Sequence, residues 1–257
     1  KIRISYFSGG NVSQVSKGKY GLNFDLPPDS TVEFWKAHGI NGDQLVGDKT
    51  RDTLLALNIF GLPTPWGFRH EINYLHDGKL LDIGTFQYLF YRPIFEKDKL
   101  INLRRWEHSW VISAVGLERL LMVKNNFARA TDCAHIKPLI ESVLGGAKNK
   151  NYQQAEIFSQ ALRAIHRIIS DCGGYDNLSQ RRREKLRSFY KAIIMCKNKL
   201  GIEIDQGYLE TLLRRNAELQ SFYPELQKSV EKTAQEIIGA EARLKSDRSR
   251  KTGGVAQ

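Results

Sequence analysis

A chain of 257 residues, 41% of them hydrophobic and 26% charged, has ordinary globular composition: long enough to bury a sizeable core and too apolar to remain unfolded. No apolar run approaches the roughly 20 residues that cross a bilayer, and the opening Lys1-Ile2-Arg3-Ile4 alternates as a strand does rather than reading as a secretory leader. Lysine and arginine exceed the acids by 39 to 28, a formal charge of +11 that favours a polyanionic partner.

Ile2, Ile4 and Tyr6 alternate with polar residues as in a half-buried strand, and Ser8 to Lys19 reads as a Gly/Ser/Asn loop. Asp29 and Ser30 can cap a short helix over Thr31 to Ala37, with Gly39 placed to end it. The apolar run from Leu54 to Phe60 stops at Gly61, Pro63 and Pro65. Asp77-Gly78 reads as a turn. Leu80 to Phe95 is β-branched and aromatic, interrupted by Gly84, and Ser109 to Ser113 forms a further strand that turns at Gly116 into a helix.

The pattern then becomes helical and basic. Ile157, Ala161, Leu162, Ile165, Ile168 and Ile169 make an apolar stripe closed by Gly173-Gly174. A second helix spans about Gln180 to Leu200 and ends at Gly201; a third carries Tyr208, Leu209, Leu212 and Leu213; a fourth runs from Pro224 to Lys245. Lys137 to Tyr152 reads as the join. The expected organisation is an α+β part over 1–147, a helical domain over 148–245 and a disordered tail over 246–257.

Cys133, Cys172 and Cys196 are widely spaced and lack CxxC or zinc spacing, so they read as reduced thiols of a cytoplasmic protein. His70, His76 and His108 lie near Glu71, Asp77 and Glu107, again without metal-ligand spacing, and no metal site is expected. His108, between Trp106 and Trp110, either lines a ligand cleft or packs among aromatics. The second helix presents Arg181, Arg182, Arg183, Lys185, Arg187, Lys191, Lys197 and Lys199 against Glu184 alone. At helical spacing Arg181 and Lys185 share one side opposite Leu186, Phe189 and Ile193, which suits a phosphate backbone.

Ala114-Val115-Gly116-Leu117-Glu118-Arg119-Leu120-Leu121 follows a strand and opens a helix. A glycine there admits a flat ligand to the backbone, and an arginine close behind can stack a guanidinium on it, worth about 0.5–2 kcal/mol. This arrangement resembles motif 3 of class II aminoacyl-tRNA synthetases. Ser30-Thr31-Val32-Glu33-Phe34-Trp35-Lys36, Gly47-Asp48-Lys49, Pro63-Thr64-Pro65-Trp66 and His70-Glu71-Ile72-Asn73-Tyr74 resemble the alanyl-tRNA synthetase core, as do Asn126-Phe127 and Pro138-Leu139-Ile140. Leu186-Arg187 and Tyr223-Pro224-Glu225-Leu226 are similar to that family's tRNA-recognition helices.

The resemblance implies part of a class II antiparallel sheet with flanking helices, followed by an all-α tRNA-binding domain. It implies ATP with Mg2+ as cofactor, and an amino acid and tRNA as substrates. Gly116, Glu118 and Arg119 would bind ATP, Glu71, His108 and Ile112 would face the amino acid, and Arg181, Arg182, Lys185, Arg187 and Lys191 would contact RNA. A second chain would supply the remainder of the sheet. Ile112 stands where the family has an amine-binding aspartate, Asn58 where it has a tryptophan, and Ser179 where it has an acceptor-stem asparagine. Phe68-Arg69-His70-Glu71 also resembles the Phe-Arg-x-Glu start of motif 2, the source of a phosphate-binding arginine. Two other readings remain open: a catalytically degenerate tRNA or aminoacyl-tRNA binding module, and an ATP-dependent aminoacyl ligase with a non-tRNA acceptor.

Overall fold

The computed structural model describes residues 1–12, 25–50, 52–56, 65–96 and 99–252. The fold class is α+β, and contacts divide the chain into two units, Lys1–Ala130 and Thr131–Gln257.

The first unit is built on a sheet of six strands: β1 (Ile2–Phe7), β4 (Leu45–Asp48), β5 (Leu54–Ala56), β6 (Trp66–His76), β7 (Lys79–Glu96) and β8 (Lys99–Val115). Their order is β4-β1-β6-β7-β8, with β5 sharing the β1 edge of β6. All pairs are antiparallel except β1 with β4, so the sheet is mixed where a purely antiparallel one was expected. A separate two-stranded ribbon joins β2 (Gly10–Asn11) to β3 (Asp25–Leu26). Asp77 and Gly78 both take positive φ, 46° and 75°, and close the β6–β7 hairpin as their residue types predict.

Gly67 permits the close approach of β6 to β7, because a Cβ there would lie 1.8 Å from the Tyr88 carbonyl oxygen. Phe7 and Phe68 stack at 5.2 Å in a core shared with Val12, Leu26, Leu54, Trp66 and Leu103. The short helix α1 (Val32–Ala37) is fastened by a buried polar network rather than by a side-chain cap. His70 Nδ1 accepts from Trp35 Nε1 at 2.7 Å, so its ring proton sits on Nε2, which donates to Asp29 Oδ2 at 2.7 Å. Asp29 Oδ1 in turn accepts from the Thr31 amide and hydroxyl. Every member of the network is satisfied, as burial of these groups requires.

The second unit is helical: α3 (Lys137–Gly146), α4 (Tyr152–Cys172), α5 (Gln180–Leu200), α6 (Gln206–Leu219), α7 (Pro224–Lys228) and α8 (Val230–Thr252). Asn151 caps α4 by accepting from the Gln154 amide, and Gly173 and Gly201 end α4 and α5 in the left-handed conformation, as their spacing predicts. Lys137–Gly146 is a helix rather than a join. Ile136, Leu139, Ile140 and Val143 are fully buried in the helical core, which moves the division between units to Ala130. The last helical run breaks at Ser229 into α7 and α8, and α8 extends through Thr252, past the expected end at Lys245. Asn58, Pro63-Thr64 and residues 253–257 lie outside the described residues.

Candidate functional site

Residues directly opposed across a sheet project to the same face. The β6–β7–β8 register therefore places Glu71, Thr85 and Ala114 in one row, and Arg69, Gln87 and Ile112 in the adjacent row. Glu71 and Ile112, both expected at an amino-acid pocket, thus share a face; Ile112 is 40% exposed. Arg69 Nε lies 2.7 Å from Glu71 Oε1 and donates to the Asp52 carbonyl at 2.6 Å.

Gly116 ends β8 and stands at the N-cap of α2 (Leu117–Asn125), its amide donating to the Ile83 carbonyl on β7. Its φ of −77° is available to any residue, and a Cβ there would meet only the Arg119 stem at 3.5 Å. Glu118, half-buried, lies in the first turn of α2. Arg119 reaches back to β7, where Nη1 donates to Asp82 Oδ2 at 2.6 Å and to the Asp82 carbonyl at 2.8 Å; its side chain is 47% exposed. Partial burial pushes the Glu71 carboxyl above its ordinary range; Arg69 pulls it down, Asp82 raises it and Arg119 lowers it.

His108 lies elsewhere. Between the pairs Leu89–Trp110 and Tyr91–Arg105, Phe90 alone faces Trp106 to Ser109, so β8 bulges outward. The bulge lines a cavity of about 510 Å³ with Arg92, Arg104, Arg105, Trp106, His108 and Trp110 among its walls. The bulge brings His108 to these arginines, not to the rows of Glu71 and Ile112. The Arg104-Arg105-Trp106 run is visible in the sequence, but the register shift that makes a cavity of it depends on pairing with β7.

On α5, Arg181, Arg182, Lys185, Arg187 and Lys191 are all exposed, opposite the buried Leu186, Tyr190 and Ile193. Arg183 turns inward, donating to the Leu178 and Asp176 carbonyls at 2.8 Å beside the Tyr175 ring, and Lys197 pairs with Glu241 at 2.9 Å. Among the described residues, Arg182, Lys185 and Lys191 enter no ion pair.

Among the described residues, no three His, Cys, Asp or Glu side chains gather as a metal site, and no helix is long and apolar enough to cross a membrane. A scan against protein-family models and a search of curated proteins both found no match.

Proposed function

We propose that this protein is a class II synthetase-like enzyme of the alanyl type, which activates an amino acid with ATP, attaches it to tRNA and holds the acceptor stem on α5. The observation that carries this reading is the β8–Gly116–α2 junction, where the Arg119 guanidinium is fixed by Asp82. A guanidinium tethered at one nitrogen and half exposed keeps a planar face for an aromatic base. Through that guanidinium face the residues fit the adenine of ATP.

When bound, ATP with Mg2+ supplies the phosphoryl chemistry of carboxylate activation. Arg119 orients the base, Glu118 supports the first turn of α2, and Glu71 offers an acceptor to an amino group. Ile112 presents an apolar wall, and Arg69 is the cation on the Glu71 face. A second chain supplying further strands accords with the outer edge of β8. That edge has no strand partner among the described residues, and it exposes Val111 and Val115. A cytoplasmic setting accords with three cysteines that form no disulfide.

A second reading, a tRNA-binding module without activation, is favoured by Ile112 in place of the family's amine-binding acid. Nucleotide binding by wild type and by Arg119→Ala separates the two: loss in the variant supports activation, and no binding by either supports the module.

A further inference from the structure

We infer that the bulge in β8 is a second nucleotide-recognition site, separate from Arg119 and from α5. It takes a single-stranded nucleotide unit, with its base against an indole and its phosphate against guanidiniums. The inference stands independently of the synthetase-like reading.

Register carries the first part of the argument. Arg92 on β7 faces Arg104 on β8 directly, and Arg105 faces Tyr91 in the next position. Like charges directly opposed across a ladder repel, and among the described residues neither Arg92 nor Arg104 has a carboxylate partner. Arg105, one position on, projects to the other face, where it lies over the Phe90 ring at 5.5 Å. An anion seated between Arg92 and Arg104 relieves the repulsion.

The second part is aromatic. Trp106 and Trp110 flank the bulge, and Trp110 is 63% exposed, an unusual cost for an indole unless something stacks on it. Guanidiniums interleaved with aromatic faces are the recurring means of holding single strands, because every base has a π-face and every link a phosphate. About 510 Å³ accommodates a nucleotide unit but not a duplex. Glu107, the one acid lining the cavity among the described residues, can accept from a base amino group, and His108 adds a further donor.

The test is a tryptophan-fluorescence titration of the full chain with an eight-residue oligouridylate, with UMP and with inorganic phosphate. It is run in wild type, Arg92→Ala/Arg104→Ala, Trp110→Ala, Arg119→Ala and Arg182→Glu/Lys185→Glu, with melting curves alongside. Trp110 is exposed, so its variant keeps the fold while removing the stacking surface. The expected result is quenching by oligouridylate that weakens about tenfold or more in the arginine pair and in Trp110→Ala. Quenching persists in the Arg119 and α5 variants. Equal affinity for UMP identifies free nucleotides as the source of the ligand, and much weaker UMP binding identifies a strand. Unchanged affinity in Trp110→Ala, or phosphate competing as well as the nucleotide does, overturns the inference.

Discussion

Arg119, in the first turn of α2, donates from Nη1 to both the carboxylate and the carbonyl of Asp82 on β7, at 2.6 and 2.8 Å. The pair is about half exposed on each side, so its contribution to stability is small, within about 1 kcal/mol. Its consequence is orientation. Arg119→Ala should leave the melting temperature nearly unchanged while weakening ATP binding by about 2- to 30-fold, the range of one cation–π contact. Asp82→Ala should weaken ATP binding less, because the guanidinium remains but is no longer fixed. Isothermal titration with ATP measures both.

Gly116 and Gly67 make a contrasting pair. Gly116→Ala requires no unusual backbone and meets only the Arg119 stem, so the fold should be unaffected while ATP affinity falls. Gly67→Ala drives a methyl group into the Tyr88 carbonyl and should destabilise the first unit by about 3 kcal/mol or more, read by thermal melting.

The His70 network is structural. Replacing His70 by alanine leaves the buried Asp29 carboxylate without its imidazole donor and the partly buried Trp35 N–H without its acceptor, at a cost of about 3 kcal/mol. The emission of Trp35 should shift to the red in the folded variant, because its N–H loses the imidazole acceptor and gains water.

In the second unit, His166 is buried, accepts from Asn216 Nδ2 at 2.9 Å and donates to the Leu226 carbonyl at 2.9 Å. Burial lowers its pKa from 6.5 to about 4. Between those values the unfolded imidazole takes up a proton and the folded one does not. Stability from this group is therefore complete above about pH 6.5 and declines as pH falls toward 4, by roughly 3 kcal/mol in all. Chemical denaturation of the wild type at pH 7.5 and pH 4.5 should reveal the decline, and His166→Gln should flatten it.

For α5, Arg182→Glu/Lys185→Glu should weaken binding of an acceptor-stem RNA hairpin and lower the slope of log affinity against log salt by about 2, if each cation contacts one phosphate. An unchanged slope contradicts the assignment of RNA to this helix.

The parts of this fold legible in the sequence are those set by local chemistry. Asp77-Gly78 closes a hairpin because both residues tolerate positive φ, and Gly173 and Gly201 stop helices for the same reason. Long stripes such as Ile157 to Ile169 bury as their period demands. What escaped reading depends on distant partners. The parallel pairing of β1 with β4 has no local signature, and the β8 bulge exists only as a mismatch with β7. Gly145-Gly146 disguised α3, whose helix is justified by burial of Leu139, Ile140 and Val143. Asp29 reads as a helix cap, but its carboxylate also holds His70, which lies far along the chain. At the candidate site, Arg119 and Glu71 were named from sequence, whereas Asp82, which fixes Arg119, was not, because only the fold brings β7 to the start of α2.

The most direct test of the central claim is amino-acid-dependent ATP–pyrophosphate exchange, measured across the standard amino acids on the chain together with any protein that co-purifies. A synthetase-like enzyme should exchange label with one amino acid, alanine first among those to try, and lose the exchange in Arg119→Ala. A folded protein that binds acceptor-stem RNA yet exchanges nothing with any amino acid contradicts activation and leaves the binding module.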